Sequence, residues 1–183
     1  MIRTFIAVDL PEDVRAELVS AASGLGKANP SVRWVKPSGM HLTLKFLGDT
    51  EESAIEPLSR ALDAMALDHA PLRLGIEGLG AFPGTRRARV VWAGLSGDLE
   101  DLAGLAAGVD RVCAAFGIQP EKRPFKAHIT IGRLKIPTVI NLNKELRKKD
   151  FLTTEIVLYQ SELLPSGARY TVLNRSILGH EGE

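Results

Sequence analysis

Residues 41–44 read His-Leu-Thr-Leu and residues 128–131 read His-Ile-Thr-Ile, two of the four histidines of a 183-residue chain in near-identical settings. Alternating polar and β-branched or leucine positions predict a strand at each place, and alternate strand side chains share a face. His41 and Thr43 therefore point one way, with Leu42, Leu44 and Phe46 toward a core. His128 and Thr130 repeat that parity against Ile129 and Ile131. The two histidines lie 87 residues apart. The same offset carries a helix expected over 11–27 onto 98–114, where an acidic start (Asp98, Glu100, Asp101) independently predicts a helix over 98–116. The coincidence points to a diverged internal duplication, with approximate repeats 1–95 and 96–183 in one bilobed unit. Under a pseudo-twofold axis the two polar faces line one cleft.

Working outward, residues 2–8 predict a buried strand, and Pro11, Glu12 and Asp13 open the first helix. Further strands are expected at 41–47, 71–80, 88–95, 128–133, 152–164 and 169–178, with helices over 51–67 and 138–149. The offset of 87 projects the helix over 51–67 onto the one near 138–149. Apolar residues at 45% and charged residues at 25% describe an ordinary globular composition. One cysteine, Cys113, excludes an internal disulfide and a Cys-rich zinc site, and is expected to pack in its helix. No apolar run approaches a membrane span, and MIRTFIAVDLPED is too short in its apolar part for a signal peptide. The expected setting is cytoplasmic.

The net charge of +1 hides asymmetry. Residues 121–149 carry a net +7 and residues 49–68 a net −5. Lys144 to Lys149 read as a solvated face. Lys122, Arg123, Lys126, Arg133 and Lys135 bracket the second histidine and suit a polyanionic substrate.

Two imidazoles suit proton transfer, one neutral to accept and one protonated to donate, because their ordinary pKa lies near neutrality. Two hydroxyls can donate to phosphoryl oxygens. A lone His-x-Thr strand is most often a half-buried histidine with a capping threonine. Two at half-chain spacing point to a site instead.

The stretches FIAVDLPED, WVKPSGMHLTLKFLGD, RPFKAHITIGR and LYQSELLPSGARYTVL resemble the 2H phosphoesterases, and within them the RNA 2′,3′-cyclic phosphodiesterases formerly called 2′-5′ RNA ligases. Ala127 departs from the proline many members carry before the histidine. The resemblance implies an α+β fold with two antiparallel sheets facing across a central cleft and helices outside. It implies hydrolysis, without metal or cofactor, of RNA 2′,3′-cyclic phosphate ends to 2′-phosphates, with reversible 2′-5′ ligation. By motif, His41 is the proton donor, His128 the proton acceptor, and Thr43 and Thr130 hold phosphate. RNA ends, tRNA fragments among them, are the implied partner, and a monomer is expected.

Other residues read less specifically. Arg133 and Lys126 are substrate-binding candidates, although strict alternation puts Arg133 on the face opposite His128. Phe125 and then Trp34 are the best base-stacking candidates, whereas Phe46 and Trp92 read as core. Lys45 shares parity with His41 and reads as an exposed strand lysine. Ser161 and Tyr170 read as hydrogen-bonding residues of the fold, and His69 and His180 as solvated. The alternatives are the same chemistry on a small cyclic nucleotide, or a non-catalytic RNA-binding module, which has no use for two imidazoles. A metal hydrolase lacks its ligand spacing here, with no HxH or HExxH.

Overall fold

The computed structural model describes residues 1–179. Strand β1 (Ile2–Val8) is followed by α1 (Glu12–Gly26), β2 (Arg33–Trp34), a 3₁₀ turn (Pro37–Gly39), β3 (Leu42–Thr50) and α2 (Glu52–Ala66). Then come β4 (Leu72–Phe82), β5 (Ala88–Gly97), α3 (Leu99–Ala115), β6 (His128–Thr138), β7 (Lys149–Thr153), β8 (Glu155–Leu164) and β9 (Gly167–Ile177). Among the described residues no helix is long and apolar enough to cross a membrane.

The helices form where the pattern demands. In α1, acids occupy the first turn and Val14, Leu18, Ala21 and Leu25 make the buried stripe. In α3 the stripe is Leu102, Leu105, Ala106, Val109 and Cys113. Burial pushes the Cys113 thiol up to about 11, so it is inert packing, as expected.

The strands run in the order β7-β4-β5-β6-β3-β1-β8-β9, with antiparallel pairing throughout the described residues and β2 on the free flank of β6. Two lobes, β3-β1-β8-β9 and β6-β5-β4-β7, meet at a single ladder pair, Leu42 opposite Ile129. One face of the sheet packs on the helices through a large core that includes Ile6, Val8, Leu42, Ile129 and Ile131. The other face carries a small separate cluster of Phe5, Ala7, Val157 and Tyr159. That second face is the cleft.

Two expectations fail. Residues 139–148 form no helix, because side chains elsewhere hold their backbone in an irregular path. Asn29 donates from Nδ2 to the Asn141 carbonyl (2.7 Å) and accepts from its N–H (2.8 Å), and Glu17 accepts from the Arg147 N–H (3.0 Å). With Ile140 and Leu146 buried, these tertiary bonds outweigh a modest local helix preference. The strand expected over 152–164 is two strands. β7 pairs with β4 and β8 with β1, in different lobes, so the chain must leave one ladder for the other at Thr154. Sequence repeats and lobes thus do not coincide: each lobe takes strands from both halves of the chain.

Candidate active site

The Leu42–Ile129 pair sits at the crossing of the two motifs. Extending that antiparallel register by one residue each way sets His41 opposite Thr130 and Thr43 opposite His128. The histidines are then diagonal neighbours on the cleft face, and such pairs stand about 7–8 Å apart in a regular ladder. That is room for one phosphate between two imidazoles.

Beyond each motif lies an irregularity that alternation could not reveal. Along β3, Ala7 pairs with Thr43, Ile6 with Lys45 and Phe5 with Phe46, so Leu44 has no partner. This bulge sends both Leu44 and Lys45 into the protein and brings Phe46 out on the cleft face. Lys45 is only 7% exposed, and its Nζ donates to Asp110 Oδ1 (2.6 Å) and the Gln119 carbonyl (2.9 Å). Phe46 is 66% exposed. Both sequence assignments are therefore reversed: the lysine is the buried residue and the phenylalanine the exposed one.

β6 repeats the device. Trp92 pairs with Thr130, Val91 with Gly132 and Val90 with Arg133, leaving Ile131 unpaired. The bulge restores Arg133 to the face of His128 and Thr130, against the expectation from strict alternation. The Arg133 charge acts on His41 across the crossing. Gly132 is required there, since a Cβ would lie 2.6 Å from Val32 Cγ1 and 3.1 Å from the Trp34 ring. Phe46 and Arg133 thus occupy equivalent places, each five residues beyond its histidine.

His41 lies in an aromatic box. Phe5 stacks on its ring (centroids 4.8 Å) and Tyr170 meets it edge-on (5.4 Å), with Tyr159 stacked behind Phe5 (5.2 Å). Burial pushes His41 down to about 4; Asp9 opposes the shift and Arg15 and Arg133 add to it. It is neutral in the free protein at neutral pH. His128 is held differently: its Nδ1 lies 2.7 Å from the Lys126 carbonyl, which can only accept, so Nδ1 carries a proton. In the neutral ring Nε2 is then a free lone pair. Phe82 stands edge-on to His128 (5.0 Å), and Lys126 Nζ lies 5.8 Å above the Phe82 ring.

The stacking candidates sort differently from their sequence reading. Phe125 and Trp34 are both half-buried and pack against the main core, Trp34 over Gly132. Trp92, expected in the core, lies on the cleft side as the partner of Thr130, and its ring covers Gly80. Tyr170, Phe5 and Phe82 were missed as walls of the site. The parity of β1 offered one signal, since Phe5 and Ala7 share a side, but β1 is buried on both faces and reads as uniform core. His69 is half-buried against Gly108 of α3, and His180 lies outside the described residues. Among the described residues no group of three or more His, Cys, Asp or Glu could hold a metal ion.

A family model described as LigT like Phosphoesterase matches residues 8–92 and 95–170, which contain both motifs. The chain belongs to the LigT-like phosphoesterase family. A relative named RNA 2′,3′-cyclic phosphodiesterase from Methanothermobacter thermautotrophicus is 33% identical over 177 residues, covering 93% of this chain and 95% of its own. One of the same name from Thermus thermophilus is 37% identical over 98% of this chain and 92% of its own. The crystal structure of Escherichia coli LigT complexed with 3′-AMP superposes with a TM-score of 0.83 at 28% identity, over 97% of this chain and 98% of that one. This LigT-like chain therefore has the family fold along its whole described length.

The His41 environment has a thermodynamic consequence. Its folded pKa lies below the unfolded value of about 6.5, so between the two the unfolded chain binds the extra proton. The stability this contributes is complete above about pH 6.5 and is lost as pH falls toward 4, by about 3 kcal/mol in all. Urea unfolding at a series of pH values should show that loss, and His41→Asn should flatten it.

Proposed function

We propose that this protein hydrolyses RNA 2′,3′-cyclic phosphate ends to 2′-phosphates, with His128 as proton acceptor and His41 as proton donor. The observation that carries this reading is the crossing of two His-x-Thr motifs on one cleft face, in a chain whose curated relatives are named RNA 2′,3′-cyclic phosphodiesterases.

His128 Nε2, free because Nδ1 is engaged by the Lys126 carbonyl, takes a proton from water. The water oxygen bonds to phosphorus as the bond to the 3′ oxygen breaks, and His41 delivers its proton to that oxygen. Thr43 and Thr130 donate to the non-bridging oxygens and Arg133 offsets the charge that builds on them. His41 needs its proton when the phosphate is in place, and the anion supplies the favourable charge that the empty site lacks. A 5′-hydroxyl in place of water would leave a 2′-5′ linkage by the same transfers. Phe46, exposed on the same face as Thr43, offers a flat surface for the base.

End-group analysis tests this directly. A short RNA with a 2′,3′-cyclic phosphate, incubated with the protein in excess chelator, should end in a 2′-phosphate. A 3′-phosphate product would reverse the regiochemistry. Binding of the RNA without hydrolysis would make the protein a binding module. Hydrolysis of only cyclic mononucleotides would move the substrate to that class.

A further inference from the structure

The 3₁₀ turn before β3 and the tip of the β8–β9 hairpin enclose a groove of about 340 Å³ that the proposed proton transfers do not use. Lys36, Ser38, Ser166, Arg169 and Tyr170 line it. Tyr170 belongs to both places: it lines the groove, and its ring is edge-on to His41. The groove therefore adjoins the surroundings of His41 at Tyr170.

Its cations are held in place. Lys36 Nζ donates to the Ser166 carbonyl (2.8 Å), which fixes the hairpin tip and leaves two ammonium hydrogens for a ligand. Arg169 donates from Nε (3.0 Å) and Nη2 (2.8 Å) to Glu162 Oε2, which orients the guanidinium and leaves its Nη1 edge uncommitted among the described residues. With Glu162 counted, the groove carries one net positive charge. That matches the single charge of a phosphodiester, and the Ser38 and Ser166 hydroxyls add neutral donors.

We infer that this groove takes the phosphodiester on the 5′ side of the terminal nucleotide, with Lys36 and Arg169 as its cationic contacts. The inference rests on the proposed reaction at His41 and His128 and adds the feature that makes the substrate RNA: a free cyclic mononucleotide has no phosphate to place there. The arrangement along the chain agrees. Lys36 precedes His41 by five residues and Phe46 follows it by five, so 5′ phosphodiester, reacting phosphate and base meet one continuous stretch.

Three substrates separate the contributions: cytidine 2′,3′-cyclic phosphate, the same nucleotide carrying a 5′-methyl phosphodiester, and the dinucleotide CpC with a 2′,3′-cyclic end. KM is measured for each with the wild type, Lys36→Ala and Arg169→Ala. Arg169→Ala keeps the Lys36–Ser166 tie, so it reports on the cation without releasing the hairpin. For both phosphodiester substrates the ratio of KM to that of the mononucleotide should rise about tenfold in each variant, the size of one charge-assisted hydrogen bond. Unchanged ratios overturn the subsite while leaving the hydrolysis intact. A rise for CpC alone would assign the groove to the second nucleoside and also overturn it. If the wild type hydrolyses none of the three, the proposed reaction fails and the subsite falls with it.

Discussion

His41→Ala and His128→Ala are each expected to lower kcat by about 10²–10⁴-fold in chelator, the range that positioned acid and base groups supply. The two losses should not multiply. A proton donor without its acceptor partner achieves little, so the double variant should lose much less than the product of the single losses. The imidazoles also differ in what their removal does to the pH profile. His41 must be protonated to donate, and in the empty site burial holds it near 4. The limb it contributes to kcat/KM therefore falls away above a low pH, and the corresponding limb in kcat lies higher because the bound phosphate raises it. His41→Ala removes that limb. The core side of the same strands is made by Leu42, Leu44, Ile129 and Ile131, and urea unfolding of each variant checks that losing the His41 ring from its aromatic box leaves the fold intact. Full activity in both variants would end the two-histidine mechanism.

The histidines were legible in the sequence because a repeated motif survives in the letters themselves, and because a short run of alternation is enough to place His41 with Thr43 and His128 with Thr130. The residues just beyond each motif were not legible. A bulge adds a residue to one strand without a mark in the hydrophobic pattern, and every position beyond it changes face. Lys45, Phe46 and Arg133 were all misplaced for that one reason. Gly132 was the available signal on β6, a glycine inside a strand beside the bulge, whereas the glycine of β3, Gly48, lies beyond the bulge at Leu44 and does not mark it. The helix expected over 138–149 failed for a different cause: a local pattern carries no record of the long-range Asn29–Asn141 and Glu17–Arg147 bonds that hold this backbone in an irregular path. The strand order itself was beyond reach, because each lobe borrows strands from both halves of the chain and local pattern carries no pairing information across such distances.

The pair of buried Lys45 with half-buried Asp110 gives the bulge in β3 a structural purpose. Asp110 also accepts from the Glu121 N–H (3.1 Å), and Lys45 holds the Gln119 carbonyl, so the segment leading to His128 is pinned to the strand that begins beside His41. Its partner holds the Asp110 carboxyl below the usual range against the opposing effect of desolvation. One bulge thus exposes an aromatic ring to the cleft and anchors the approach to the second histidine.

Arg133→Ala is expected to lower kcat/KM by about 10²-fold and, at the same time, to move the His41 limb to higher pH. The first effect comes from losing a guanidinium aimed at a phosphate whose charge grows during the reaction, comparable to removing one preorganised donor from an oxyanion site. The second has the opposite sense for activity. Arg133 is one of the two cations that disfavour protonated His41, so its removal lets the imidazole recover toward its ordinary value. Arg133→Lys separates the two. It restores a positive charge, and with it the small part of the His41 depression that Arg133 adds to that of burial, but not the planar fork that binds two phosphate oxygens at once. The lysine variant should therefore keep a nearly wild-type His41 titration, followed by its ring proton resonance, while kcat/KM stays well below wild type. An alanine variant that leaves both activity and the His41 titration unmoved would mean that the bulge at Ile131 does not deliver Arg133 to the cleft, and the equivalence of the two motifs would end at Thr130.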